Sequence, residues 1–443
     1  MSPESSAPLM VAPFRLDSLH APSPPAPPPH EHGRHAVHSH RRRRSGRRLA
    51  LLVALLVLLA AAAVFVGVRL TAPDAPPVVT PVGHRTVSVP AQSVSLPWPT
   101  TGQAAIAIPS IGVDVASGTE QPAPVASLTK LMTSYVILHD HPLALNEAGP
   151  DITVTQADVD DYDNDTVDDD SNAQVAVGEQ LTEQQVLSGL LVHSADNYAD
   201  LLARWDAGSI PAFVAKMNAD AAQLGMHQSH FADASGVDPG SMSTADDLLK
   251  VATPDMANPA FASMVQMTSV TLPVAGTIST YTPLLGLQGV IGVKSGFTTA
   301  AGGCDVLAVV RTVHGRPVLL LAAVTGQQGP EVLAQAGLHA LALVDAVGPL
   351  VGTTSVLRGG QVMAHVSESG RSVDAVAATS VSVLTWPGVT VTQVFHPARH
   401  LTDRASRGAR AGTMVVSLGT QHVVVPVRLQ QDVPHEPLLR RLF

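Results

Sequence analysis

The sequence predicts an α+β domain whose sheet is completed by distant parts of the chain, followed by a small all-β domain and preceded by one membrane-spanning helix. Three observations carry this reading. Strand-like runs flank a central block of helical patterns, the order expected of an α+β fold. From about Gly352 the runs become short and strand-like, separated by Gly and polar turns. Twenty consecutive positions, Leu49–Val68, carry no charged or amide side chain.

With 443 residues, 45% hydrophobic and 14% charged, the chain is too apolar to be disordered throughout and has room for two or three domains. Its net charge of −10 is unevenly spread. Residues 1–48 hold eight Arg against three acids, whereas residues 70–443 hold seventeen Lys plus Arg against thirty-three acids. An acidic body is a poor nucleic-acid binder. The single cysteine, Cys304, excludes an intrachain disulfide and multi-thiolate metal sites, and reads as a small core side chain.

Residues 1–48, rich in Pro, His and Arg, lack hydrophobic periodicity and read as a disordered, basic cytoplasmic tail. His30, His32, His35, His38 and His40 are explained by composition better than by metal binding. Residues 49–70 match the thickness of a bilayer core as a helix. A cleaved signal peptide is the rival, but the run is longer than such segments and starts late. Six Arg stand just before the apolar run and only Arg69 just after it, so the N-terminus is expected in the cytoplasm and the body outside. Residues 71–97, with six Pro, are expected to form a semi-rigid spacer.

The segment 98–346 opens with two short strands in AAIAIPSIGVDVAS. A helix follows, with Leu128, Leu131, Met132, Tyr135 and Val136 at helical spacing. The run Asp158–Asp170, eight Asp in thirteen residues, reads as a solvated acidic loop; Thr166 and Asn172 stand where a calcium loop needs Gly and Glu. Further helices are expected at 182–192 with Thr182 as N-cap, at 197–206, 211–224 and 244–252. DVLAVVRTVHGRPVLLLAAVTG reads as a hairpin turning at His314–Gly315, followed by a helix from Glu331 to Asp345. Residues 350–443 form the closing β domain.

Only four lysines occur against twenty-two arginines, and a Lys is needed where an amine must give up a proton. Ser127 and Lys130 are spaced i, i+3 on one helix face, which suits a serine nucleophile with a lysine base. Alone, the pair would be an N-capping Ser and a solvated Lys. Ser194-Ala195-Asp196-Asn197 follows an apolar helix, and Lys294-Ser295-Gly296 begins near the hairpin, its Lys able to supply a nearby positive charge.

In this order the three elements resemble the S-x-x-K, S-x-N and K-T-G motifs of the penicillin-binding serine peptidases and β-lactamases. PVASLTKLMT, VGEQLTEQQVLSGLLVHSADN, MNADAAQLGMHQSHFADASGVD and GVKSGFTTAAGG extend the likeness over about residues 100–346, and narrow it to the low-molecular-mass serine D-alanyl-D-alanine carboxypeptidases. The resemblance implies an antiparallel sheet flanked by helices with a helical subdomain. It implies a nucleophile at Ser127, its base at Lys130, and a proton relay at Ser194. Substrate would be bound by Lys294, Ser295 and Gly296, by Phe297, whose backbone N–H joins that of Ser127 in an oxyanion hole, and by Asp196 or Asn197. It implies no metal and no cofactor, and as partners a peptidoglycan stem ending in D-Ala-D-Ala and β-lactams, but no nucleic acid. His193 carries no role in that pattern and reads as a neutral loop or core residue.

Two positions depart from the pattern. Ser295 replaces the Thr of K-T-G and keeps the hydroxyl. The Asn of S-x-N is replaced by Asp196, with Asn197 one place later. Either Asp196 fills the slot, adding a carboxylate between two lysines, or the loop shifts and Asn197 fills it. A β-lactamase is disfavoured because no Glu occurs between Glu183 and Glu331 to activate a deacylating water. A scaffold that is acylated without turnover is the rival from another class.

Overall fold

A computed structural model describes residues 43–71, 76–83, 85–118, 120–167, 171–368, 370–402 and 404–434. The histidine-rich tail segment and Asp168–Asp170 lie outside the described residues. The chain divides into two units, one with the N-terminal helix and the other spanning Pro73–Pro437. In the first, a helix covers Arg43–Thr71, and its stretch Arg47–Thr71 is apolar and exposed, long enough to cross a bilayer.

The body is built on a five-stranded antiparallel sheet. Its strands are β1 (Gln103–Ile108), β2 (Val113–Ala116), β3 (Val290–Thr298), β4 (Gly302–Val313) and β5 (Arg316–Gln327), in the order β3-β4-β5-β1-β2. β1 thus pairs with β5, some two hundred residues later, and carries β2 at the edge, so distant parts of the chain complete the sheet as the strand-helix-strand order predicted. Both faces are covered. Ala105, Ala107, Cys304, Val306, Leu321 and Ala323 face the helical layer, whereas Ile106, Ile108, Leu307, Val309, Leu320 and Val324 face a second core. Double burial explains why the strands read as nearly continuous apolar runs although the sheet is antiparallel.

The helical layer contains α1 (Thr129–Asp140), α2 (Gln156–Val167), α3 (Glu183–His193), α4 (Asp196–Ala207), α5 (Ile210–Gln223) and α6 (Ala245–Ala257). α7 (Val332–Val347) covers the opposite face and contributes Ala336, Ala340, Leu343 and Val344 to the second core. α3 begins as expected, with Thr182 and Gln185 forming a reciprocal capping box. The acidic run is a correction: most of it is the helix α2 rather than a loop. Thr155 donates from its backbone N–H and its hydroxyl to Asp158 Oδ2, each at 2.7 Å, and Arg204 of α4 grips Asp158 and Asp161. Aspartates favour a helix N-terminus, and the arginine offsets the repulsion that weakened the helical reading.

The Pro-rich stretch is a second correction. Val78–Pro81 and Arg85–Ser88 are the two edge strands of a seven-stranded antiparallel sheet. Between them stand Val362–Glu368, Arg371–Ala377, Gln421–Leu429, Arg410–Leu418 and Thr390–Pro397. This all-β region is not a separate body: Met363, Val366, Val391, Met414 and Val427 join the second core beneath the five-stranded sheet.

One buried carboxyl stands out. Asp305 on β4 lies opposite Ser295, is 0% exposed, and neither oxygen has a hydrogen-bond partner among the described residues. A Cβ on Gly337 of α7 would stand 2.8 Å from its Oδ2, so glycine is what lets the helix pass. Burial pushes the Asp305 carboxyl up to about 8, against the pull of Lys294. An unfolded aspartate ionises near 4. Between about pH 4 and pH 8 the folded form therefore holds a proton that the unfolded form has lost, so the stability this group contributes falls as pH rises through that window. Asp305→Asn is expected to flatten the fall in melting temperature between pH 5 and pH 8. An unchanged slope in the variant would mean that this carboxyl is ionised in the fold.

Candidate active site

Ser127 lies in the short 3-10 turn Ala126–Leu128 that leads into α1. Ala126 has φ 51, a left-handed conformation that L-residues seldom adopt and that packing must hold. The packing is visible. Gly236 lies so close that a Cβ on it would stand 1.9 Å from Ala126 O. One helical turn on, Lys130 is fully buried, and its Nζ donates to Ser127 Oγ at 3.1 Å, Asp196 Oδ1 at 2.5 Å and Ser235 O at 2.8 Å.

This tripod serves both forms of the amine. As an ammonium, Lys130 satisfies three acceptors with three hydrogens. As a neutral amine it keeps two hydrogens on Asp196 and Ser235 O, which turns its lone pair toward the Ser127 hydroxyl. The arrangement can therefore accept a proton from a serine nucleophile.

The Ser235 carbonyl has its own support. Asp233 Oδ2 accepts from Ser235 Oγ at 2.9 Å and from the N–H of Gly236 at 2.8 Å and Asp238 at 3.1 Å, while Thr133 of α1 donates to Ala234 O at 2.6 Å. Sequence reading missed this element because a backbone acceptor has no side-chain signature. The carboxylate of Asp233 within ADASGVD was the available hint.

Ser194 caps α3 in the left-handed region, φ 62, where glycine is commoner. That turn aims its Oγ at Ser127 Oγ, 2.9 Å away. Asp196 opens α4 and reaches Lys130, so it is Asp196 that fills the middle-motif slot. Asn197 is buried elsewhere: its Oδ1 accepts from Ala173 N at 3.1 Å and its Nδ2 donates to Ala173 O at 2.8 Å. Burial raises the Asp196 carboxyl above the usual range, with Lys130 as the main opposing influence.

β3 forms the other wall. A Cβ on Gly296 would stand 2.8 Å from Ser127 N, so a side chain there would push the strand off the nucleophile. Ser295 Oγ donates to Tyr281 O at 3.1 Å. Lys294 is buried behind the cleft, donating to Ser295 O at 2.7 Å. Burial, helped by the charge of Lys130, pushes its amine down to about 7.

The resulting cleft, about 310 Å³, is lined by Ser127, Ser194, Asp196, Tyr281, Ser295 and Phe297 among others. Lys130, Asn197 and Lys294 do not reach its surface. Phe297 is 53% exposed. Hollows of about 410 Å³ beside Arg311 and 520 Å³ beside Arg358 are lined by none of Ser127, Lys130 and Ser194.

A sequence family described as D-alanyl-D-alanine carboxypeptidase matches residues 109–327. The D-alanyl-D-alanine carboxypeptidase of Streptomyces sp. strain K15 is 33% identical over 202 residues, 42% of this chain and 67% of that protein. A D-alanyl-D-alanine carboxypeptidase of Mycobacterium tuberculosis is 34% identical over 169 residues, 37% and 58% of the two chains. Among solved structures, the Streptomyces K15 DD-transpeptidase is similar with a TM-score of 0.51 and 25% identity, over 57% of this chain and 98% of that one. Penicillin binding protein 5 from Haemophilus influenzae shares the fold, with a TM-score of 0.54 and 20% identity over 78% of this chain and 100% of that one.

Proposed function

The chain belongs to the D-alanyl-D-alanine carboxypeptidase family of serine-type peptidases, and on that premise we propose that it trims peptidoglycan stem peptides ending in D-Ala-D-Ala through an acyl-enzyme on Ser127. The observation that carries this is the convergence on Ser127 Oγ of Lys130 Nζ at 3.1 Å and Ser194 Oγ at 2.9 Å, in a cleft walled by the K-S-G strand.

The steps follow from the geometry. Neutral Lys130 takes the Ser127 proton as Oγ adds to the carbonyl carbon of the penultimate D-Ala. The backbone N–H groups of Ser127 and Phe297 receive the developing oxyanion, a contribution worth about 10²-fold or more in rate. Lys130 returns the proton through Ser194 to the nitrogen of the departing D-Ala, and the C–N bond breaks. Water then enters by the reverse relay and releases the shortened stem. A β-lactam undergoes the same addition, its ring C–N bond opening in place of the peptide bond. Ser295 binds the terminal carboxylate, and the buried Lys294 assists by gaining its proton as that negative charge arrives.

The helix Arg43–Thr71 anchors the protein as a single span. The arginine bias supports a body outside the cytoplasmic membrane, where peptidoglycan lies.

Ser127→Ala is expected to abolish covalent labelling by penicillin, read by intact-protein mass spectrometry. An adduct persisting on the variant removes the assignment.

Asp196→Asn keeps an acceptor on Lys130 but removes the carboxylate charge beside it. Acylation should become faster at pH 7, whereas Asn197→Ala should lower the melting temperature with little effect on acylation. A large acylation loss in Asn197→Ala, with no gain in Asp196→Asn, would reverse the register.

Protease added outside intact cells should digest the body and spare the tail. Protection of the body would overturn the orientation.

A further inference from the structure

Charge divides the body into two parts. Residues 98–349 carry seven Lys plus Arg against twenty-seven acids, whereas residues 350–443 carry nine Arg against five acids. Arginines of the second group gather at one end of the seven-stranded sheet. Ala398 N donates to Ala411 O, Gly408 N to Leu429 O and Leu429 N to Ala409 O, each at 2.9 Å. These bonds bring Arg399, Arg407, Arg410 and Arg428 together, and all four are exposed.

A bulge sharpens the grouping. Gly412 pairs with Val427, yet the next pair is Arg410 with Arg428, so one extra residue sets two arginines directly opposite each other. Like charges so placed destabilise an antiparallel pair. Their own hydrogen bonds do not neutralise them: Arg428 Nη1 donates to Gly408 O at 2.9 Å and Arg410 Nη2 to Thr413 Oγ1 at 3.2 Å. Among the described residues none of the four forms an ion pair, and the side chains of Arg399 and Arg407 make no hydrogen bond. Two acids stand nearby. Asp432 Oδ1 accepts from the backbone N–H of Arg407 at 2.6 Å, and Asp374, whose carbonyl accepts from Gln430 N, is engaged by His365 at 2.8 Å. Four guanidinium groups therefore face solvent with little compensation, and their planar donors match phosphate oxygens.

The chain suggests where such phosphates lie. Six residues separate Thr71, the last of the apolar helix, from Val78, the first of an edge strand in this sheet. Fully extended they span at most about 25 Å, so in an anchored chain the sheet begins close to the bilayer surface. An anionic surface attracts the arginine end and repels the acidic segment.

We propose that Arg399, Arg407, Arg410 and Arg428 form a docking surface for the phosphate headgroups of anionic lipids, which seats the β region on the membrane and turns the acidic catalytic segment away from it. This rests on the reading of Arg43–Thr71 as a membrane anchor and is independent of the chemistry at Ser127.

The test reconstitutes the full chain in lipid nanodiscs of phosphatidylcholine, with or without phosphatidylglycerol. Because Cys304 is buried, a dye can be attached selectively through Ser406→Cys, next to Arg407. Quenching by lipids with nitroxide headgroups reads its approach to the surface. Quenching should be about threefold stronger in the anionic discs, and the difference should vanish in 1 M salt, where charges are screened beyond about 3 Å. Replacing all four arginines by Gln should abolish the difference. Arg399→Gln with Arg407→Gln, which removes no side-chain hydrogen bond, should at least halve it. Equal quenching in the two kinds of disc overturns the proposal. So does a difference that is undiminished in the double variant, or that survives in a fourfold variant of unchanged melting temperature. If soluble polyphosphate shields Arg407 and Arg410 from trypsin in neutral discs while anionic discs do not, the surface serves an anionic polymer and the lipid proposal falls. A chain that does not enter the discs at all removes the anchor reading instead.

Discussion

A primary amine with no exposed surface must find an acceptor for every hydrogen it carries, and much of this domain is arranged to meet that demand at Lys130. Its three acceptors come from three separate parts of the chain: Ser127 one turn earlier, Asp196 at the start of α4, and the carbonyl of Ser235 in the Asp233 loop. Each is held by other contacts. The Asp233 carboxylate gathers Ser235, Gly236 and Asp238; α3 ends in a left-handed residue that turns the chain into α4; and Gly236 admits the carbonyl of Ala126. Removing one acceptor leaves a buried N–H unpaired, at a cost of about 1–3 kcal/mol. The nucleophile is therefore placed by the needs of its base as much as by its own backbone.

Strain is concentrated where the chemistry is. Ala126 and Ser194, which flank the nucleophile in sequence and in space, both have left-handed backbones, and such residues cost on the order of 1–3 kcal/mol each. They are affordable because the surrounding structure is over-determined: the five-stranded sheet is buried on both faces, with α1 and α4 packed on one side and α7 on the other. Glycine at 296 lets β3 lie directly against the Ser127 backbone. A rigid sheet thus carries one wall of the cleft, and helix ends carry the other.

The sequence revealed those parts of the molecule whose cause is local. Helical periodicity and the Thr182 cap located α1 and α3, and the i, i+3 spacing placed Lys130 under Ser127, as the distances bear out. What escaped depended on partners far along the chain. Val78–Pro81 and Arg85–Ser88 become strands only because Val362–Glu368 and Thr390–Pro397 pair with them. α2 depends on Arg204, more than forty residues away from Asp158. At the site, two registers were open for Asp196 and Asn197. Adjacent helical residues point in different directions, so only one can reach Lys130; the other closes on Ala173.

The charges behind the cleft form a coupled set whose members cannot be understood singly. Lys130, Lys294, Asp196 and Asp305 are all buried, and were each ionised their charges would cancel. They are not equally placed to ionise. Asp196 touches Lys130 directly, whereas Lys294 gives its hydrogen bond to a backbone carbonyl and Asp305 has no hydrogen-bond partner. The second pair is left with long-range attraction to set against full desolvation, and both members move toward neutrality, Lys294 to about 7 and Asp305 to about 8. Each of these two favours the charged form of the other, so the state of either depends on its partner. The first pair is held by a direct ion pair, whereas the second stands behind the K-S-G strand with burial as the larger influence on both members.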